Sequence, residues 1–383
     1  REICDDLGIE VVNAGPKALV LQYFPFSMAD RILGFVGLNW PRAWMPRGPR
    51  ELAKSNALVD LSGISFSDGR EKFIPFNVLN NWPAMLFRVP VVKLSQGLGL
   101  FNGWLNRTSA KWIMRRCVKV FARGQGSLEA TEALDLGDRL SMAPDIAFSF
   151  RPEDRLTDEN PDYEKEILAD LEALRESTSG ILALSVSSVV HKKCEKGGID
   201  YVKVMSEVTE GLIDRGLGVL VYPNATRERT DSLHNNDLPL VRDIAAGVSH
   251  DKRGRVVAIE RDLNTASLRA VLVPVDFMIA SRFHAMISGL SMAKPIMVLG
   301  WGHKYKEVLQ QLGIEEWCFD YSDLRTEFVL EHADRFLASQ NAIRSSIESH
   351  LPGVRAASEA QFEWLREFLS PELDAYVDDE GDA

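Results

Sequence analysis

Arg282 and His284 are the residues whose types and spacing most directly suggest chemistry, and they stand two positions apart in segment 276–306. Residues 276–280 form an apolar run that reads as a strand. Ser281 follows, and then Phe283, Ile287 and Leu290 fall on one helical stripe. Both residues therefore leave a strand-to-helix turn. The first N–H groups of a helix have no internal partner and carry the positive end of its dipole, so the turn at Ser281 favours an anion. A guanidinium meets carboxylate or phosphate oxygens two at a time, and an imidazole titrates near neutrality and can hold or deliver a proton. The ligand this pattern suits is a small anion.

Further candidates lie at other strand ends. Arg123 follows the apolar run 118–122, and Gly97 and Gly99 sit in a glycine-bearing loop expected at 95–101, where absent side chains allow backbone to approach a ligand. His191, in the loop expected after 181–186, is a reserve acid. Segment 224–237, with Arg227, Arg229, His234, Asn235 and Asn236, reads as a solvated loop polar enough for sugar hydroxyls. Each feature also has a purely structural reading. Arg282 could pair with Asp276, and Arg123 with Glu129 or Asp145. Lys304, beside His303 and Lys306, could be an ordinary exposed helix start.

The elements needed to position these residues alternate. Strands are expected at 57–63, 91–94, 118–122 and 142–148, with helices at 104–116 and 128–134 between them. An earlier apolar run, 18–23, is a further strand candidate. The polar, proline-containing segment 151–163 is the expected linker. Beyond it, strands at 181–186, 218–222, 256–259, 276–280 and 296–299 alternate with helices at 163–176, 201–214, 237–246, 265–270, 283–290 and 304–312. Such alternation means parallel sheets, and the fold class is α/β, two Rossmann-like domains facing a cleft. The expected boundaries are 1–150 for the first domain and 164–340 for the second. Helices and an acidic tail at 341–383 follow, and the tail from 374 carries five acidic residues and no basic one.

With 383 residues, of which 45% are hydrophobic and 26% charged, the chain can bury a core in each half. A formal charge of −11 argues against a nucleic-acid surface while leaving room for a local basic pocket. The four cysteines show no metal-ligand spacing, no cofactor or metal is expected, and no apolar run reaches the ~18 residues that span a bilayer. The expected setting is cytoplasmic. The chain begins at Arg1, so a first strand and loop are expected to be missing from its start.

These residues together resemble the polysaccharide pyruvyl transferase family. The likeness rests on Arg282-Phe283-His284, Pro295 and Lys304, preceded by Ser62-Gly63, the run 95–99, Arg123 with Ser127, and Pro144-Asp145, over roughly residues 57–320. It implies a glycosyltransferase-B-like arrangement and transfer of pyruvate from phosphoenolpyruvate to two hydroxyls of a sugar or lipid-linked oligosaccharide, forming a ketal. It also implies a place at the inner membrane face, beside membrane-bound glycan machinery. By the same resemblance Arg282 and His284 grip the donor, Lys304 adds charge, Ser281, Gly97 and Gly99 line the substrate, and Arg123 approaches from the first, acceptor-side domain. The sequence departs from the family in having Arg123-Gly124 where an acidic residue often follows the arginine, and Trp301-Gly-His-Lys304 where Tyr-x-Pro-Lys is frequent. Two other functions stay open: a nucleotide-sugar-dependent glycosyltransferase or epimerase of the same fold, and a non-catalytic glycan-assembly protein.

Overall fold

The computed structural model describes residues 7–38, 40–151, 160–227, 230 and 232–380, apart from the side chains of residues 303 and 371–380. Most of the linker expected at 151–163, namely residues 152–159, lies outside the described residues, as do Arg229 and the last three residues of the acidic tail. The chain sorts into two compact units, one of residues 1–146 together with 356–383 and one of residues 147–355.

In the first unit, strands β1 (Leu58–Asp60), β3 (Val91–Leu98), β4 (Lys119–Arg123) and β5 (Leu140–Ala143) lie side by side in that order, all parallel. A short β2 (Ile64–Ser65) pairs with the far end of β3 and continues the line of β1. Helices Trp104–Met114 and Gln125–Glu132 make the crossovers that parallel neighbours require. Two expectations are corrected here. Strand β3 does not stop at Leu94 but runs through Leu98, because Gly97 and Leu98 pair with Ile64 and Ser65; Gly97 is therefore a strand residue rather than a loop residue. Residues 18–23 are not a strand but part of a helical run made of Pro16–Ala18, a π turn at Leu19–Tyr23, and Phe24–Phe35. Ala18, Leu19 and Tyr23 are buried while Val20 and Leu21 face outward, so only one face of the apolar run packs inward, as on a helix.

The second unit holds six parallel strands in the order β11-β10-β9-β6-β7-β8. They are β6 (Ile181–Ser185), β7 (Gly218–Tyr222), β8 (Val256–Ala258), β9 (Phe277–Ala280), β10 (Ile296–Gly300) and β11 (Cys318–Asp320). The chain starts at β6, winds out to β8, returns to β9 on the opposite side of β6, and winds out again to β11. This is doubly wound topology, with its switch point between β6 and β9. Every residue of β6, β7, β9 and β10 is buried, as expected for strands covered by helices on both faces. Helix Ser188–Lys196 and strand β11 were not anticipated. The first is capped by Ser187, whose Oγ accepts from Val190 N at 3.3 Å. A long helix, Gln340–Glu380, follows Thr326–Ala338; its residues from 356 belong to the first unit, where Trp364 meets Phe121 edge to face at 5.8 Å.

One buried charge pair ties β1 to β3. Lys93 is fully buried, its Nζ lies 2.5 Å from Asp60 Oδ2, and the two residues face each other in the strand register. Burial alone would raise the Asp60 carboxyl, but the Lys93 charge and the hydrogen bonds from Lys93 and Ser62 outweigh it and hold the group down at about 2. A folded-state value below the unfolded value of ~3.9 stabilises the protein above that pH, and the contribution is lost as pH falls toward 2. Replacing Asp60 by Asn should flatten this part of the acid limb of stability. It should also cost about 3–5 kcal/mol at pH 7, because Lys93 is left buried without its counter-charge. Urea unfolding at pH 7 and pH 3 measures both, and a variant as stable as the parent at pH 7 contradicts the pair's importance.

Candidate functional site

Because all six strands of the second unit run the same way, the loops after β6, β7, β9 and β10 emerge along one edge of its sheet. Arg282 stands at the switch point as the N-cap of helix Phe283–Ser291, with extended backbone angles. Its side chain does not reach Asp276, which instead accepts from Arg175 Nη2 and Ile181 N, both at 2.8 Å. It turns to Asp237, donating from Nε to Oδ2 at 2.8 Å and from Nη2 to Oδ1 at 2.5 Å. Nη2 also reaches Ser188 Oγ at 2.9 Å, and Nη1 faces Asn235 Oδ1 at 3.5 Å.

Asp237 is wholly buried, so its charge must be fully satisfied. Besides the guanidinium it accepts from Ser188 N at 2.8 Å, Ala225 N at 3.0 Å and Asn224 N at 3.4 Å. One carboxylate thus gathers the loops after β6, β7 and β9. Among the described residues of 224–237, Arg227, Thr230, Ser232, His234 and Asn235 are exposed, as expected of a solvated loop, but Asn236 is fully buried and ties the loop together through bonds with Arg227, Thr230 and Leu238. Neither Asp237 as the anchor nor Ser188 was picked from sequence. The signal available was the run Asn235-Asn236-Asp237 directly before Leu238-Pro239, a polar helix start.

His284 occupies the first turn of the same helix, exposed, its ring edge-on to Phe283 at 5.5 Å. Lys304 lies in the first turn of the helix after β10, His303–Gln310, and its Nζ lies over the rings of Trp301 (4.6 Å), Phe283 (4.8 Å) and Tyr305 (5.4 Å). Phe283 therefore links His284 to Lys304 across neighbouring strand ends. Lys193, overlooked in the sequence, lies over Trp301 at 5.5 Å and Tyr321 at 5.0 Å. Ser281 is fully buried; its N–H donates to Ser185 O at 3.1 Å, and its carbonyl accepts from the Tyr305 hydroxyl at 3.4 Å. Burial pushes that phenol well above its usual range. His191 is a helix residue rather than a loop residue, 3.7 Å from Glu195 and edge-on to Tyr201. Burial raises the thiols of Cys117 to about 12 and of Cys194 and Cys318 to about 11, leaving them unsuited to nucleophilic work.

In the first unit, Arg123 ends β4, buried, with Nη1 at 2.7 Å from Asp145 Oδ2. Asp145, one of the two structural partners considered from sequence, is thus a partner of Arg123. The guanidinium lies against glycine: a Cβ on Gly97 would stand 2.9 Å from Arg123 Nη2 and 3.2 Å from Gly63 O. A Cβ on Gly99 would stand 2.5 Å from Ser67 Cα. Ser127 Oγ accepts from Leu98 N at 3.1 Å, fastening its helix to the end of β3.

Replacing Asp237 by Ala should cost about 3–5 kcal/mol of stability, since Arg282 and three backbone N–H groups lose their shared acceptor. Equilibrium urea unfolding reads this directly, and a loss below about 1 kcal/mol, the worth of an exposed pair, would show that the carboxylate organises nothing.

The whole chain is similar in fold to solved sugar-nucleotide enzymes. The S. aureus MnaA–UDP co-structure superposes with a TM-score of 0.58 at 12% identity, covering 96% of this chain and 86% of that one. UDP-GlcNAc 2-epimerase from Neisseria meningitidis bound to UDP-GlcNAc gives 0.56 at 11%, covering 96% and 88%. The fold class is α/β and glycosyltransferase-B-like. Among curated relatives, the amylovoran biosynthesis protein AmsJ of Erwinia amylovora is 22% identical over 302 residues, 78% of this chain and 69% of its own length. Residues 20–303, well over half of the chain, match the profile of one family, and the protein belongs to it: the polysaccharide pyruvyl transferases.

Proposed function

We propose that the protein transfers the pyruvyl group of phosphoenolpyruvate to two hydroxyls of a saccharide, leaving a ketal and inorganic phosphate. The observation that carries this reading is the meeting of Arg282, His284 and Lys304 at the ends of β9 and β10, beside the switch point. Family membership and the relative named for amylovoran biosynthesis support it.

The reaction needs a proton at the vinyl carbon and a counter-charge for phosphate. In the proposed course, His284 delivers a proton to C3 of the enol phosphate and C2 becomes electrophilic. The first sugar oxygen bonds to C2 and releases its proton, which restores the imidazole of His284. The C2–O bond to phosphate then breaks, and the second sugar oxygen takes the vacated position, its proton leaving with phosphate. Lys304, Lys193, the Nη1 side of Arg282 and the first-turn N–H groups oppose the charge that grows on phosphate. Ser281 acts through its backbone as a positioning residue, and Arg123, Gly97 and Gly99 serve the saccharide side. The acceptor is a sugar in polysaccharide assembly, lipid-linked where assembly takes place on a membrane. No helix among the described residues is long and apolar enough to cross one.

Thermal unfolding with phosphoenolpyruvate, and in parallel with UDP-sugars, tests the donor. A ligand at 100 times its dissociation constant stabilises the native state by ~2.7 kcal/mol, so phosphoenolpyruvate should raise the melting temperature of the parent. His284→Ala, an exposed change, should keep most of that shift while slowing phosphate release with a saccharide acceptor by about 10²–10⁴-fold. A response to UDP-sugars alone overturns the reading in favour of nucleotide-sugar chemistry.

A further inference from the structure

Within the first unit, the ends of β1 and β2 open into a cavity of about 220 Å³ lined by Phe66, Ser67, Arg70, Phe73, Phe76 and Asn77 among others. We propose that this cavity is a binding subsite for a single sugar ring of the acceptor, a placement that rests on the pyruvyl-transfer reading above.

Three observations converge. The first is position: the cavity lies at the carboxyl ends of parallel strands, where open α/β sheets take their ligands. The second is chemistry. A pyranose offers an apolar C–H face and a rim of hydroxyls, and the cavity offers the complement. Phe73 and Phe76 are 39% and 38% exposed. Arg70 and Lys72 each lie 5.1 Å from the Phe73 ring centre, which leaves Phe76 as the open ring for stacking. The Ser67 hydroxyl, the Asn77 amide and the Arg70 guanidinium supply donors and acceptors around it. The volume, below the ~300 Å³ at which drug-sized sites begin, suits one ring rather than a nucleotide.

The third observation is rigidity. Phe66 is buried with φ of 47°, a left-handed conformation that costs a bulky residue energy. The loop is held there by Asn106, whose Nδ2 donates to Phe66 O and to Asp68 Oδ1, both at 2.8 Å, and by Asn102 N, which donates to Asp68 Oδ2 at 2.7 Å. Gly99 permits this, since any side chain there would meet Ser67 and Asp68 backbone. A loop fixed against its own preference beside exposed rings is how binding sites are preorganised.

Saturation-transfer NMR with methyl glycosides of glucose, galactose, mannose and N-acetylglucosamine, without phosphoenolpyruvate, tests the subsite. The parent should transfer saturation to at least one glycoside. Phe76→Ala and Asn77→Ala should each weaken that binding about tenfold or more. The exposed ring of Trp104, outside the cavity, serves as control, and Trp104→Ala should bind as the parent does. The rise in melting temperature caused by phosphoenolpyruvate should be the same in all four proteins, which separates donor binding from this site. Binding unchanged in Phe76→Ala and Asn77→Ala, or no glycoside binding by a parent that responds to phosphoenolpyruvate, overturns the subsite and leaves pyruvyl transfer standing. Glycoside binding lost in the two variants, in a parent indifferent to phosphoenolpyruvate, supports the subsite and removes the donor assignment.

Discussion

The bond between Arg282 and Asp237 is the constraint on which the second unit's strand-end edge depends. A carboxylate with no exposed surface is tolerable only if its oxygens are saturated, and Asp237 receives two guanidinium bonds and three backbone N–H groups. Those donors come from the turns after β6, β7 and β9, so satisfying one charge fixes three loops. The consequence for chemistry is orientation. With Nε and Nη2 committed to Asp237 and Nη1 held only by a long 3.5 Å bond to Asn235, the Nη1 side is the one the proposed reaction would use, and the direction of the guanidinium is already set by its protein partners. A donor that needs no reorganisation is worth more to a developing charge than one that must first be ordered.

The first unit solves a related problem with absent side chains as well as with charge. Lys93 and Asp60 are sealed together between β1 and β3, and Arg123 is held by Asp145 at the end of β4. Arg123 can lie where it does only because Gly97 has no Cβ, and the loop at Ser67 and Asp68 can approach β3 only because Gly99 has none. These glycines are therefore explained by close packing within the unit, and any contact with substrate is an addition to that role. Ser95, with φ of 53°, adds a second strained residue; its hydroxyl accepts from Ile146 N and donates to Pro144 O, so the strain is offset by fixing the segment after β5.

Much of the architecture was legible in the sequence because buried parallel strands are unbroken apolar runs and their crossover helices are amphipathic. Tyr201–Asp214 and Gly218–Tyr222 begin and end where Asp200, Gly216 and Pro223 dictate. The failures share one cause, that local pattern is silent about tertiary partners. Residues 18–23 have the composition of a strand but pack as a helix, and β3 continues past Ser95 because β2 is there to pair with it. Arg282 and His284 were found because both belong to one turn. Asp237 was not, since nothing in spacing tells an arginine to choose a carboxylate 45 residues away over Asp276, six away.

The same distinction governs the lysines. A carboxylate partner orients a cation but cancels its charge, whereas an aromatic face attracts it through a quadrupole and leaves the net charge in place. Lys193, set over Trp301 and Tyr321, takes the second arrangement, and among the described residues no ion pair neutralises it. In a chain of net charge −11, an uncancelled cation at the strand-end edge matters because long-range repulsion of an anion must be overcome locally. In the proposed reaction Arg282 and Lys193 would thus divide the task of receiving an anion, the first supplying direction at the expense of charge and the second supplying charge without a fixed direction.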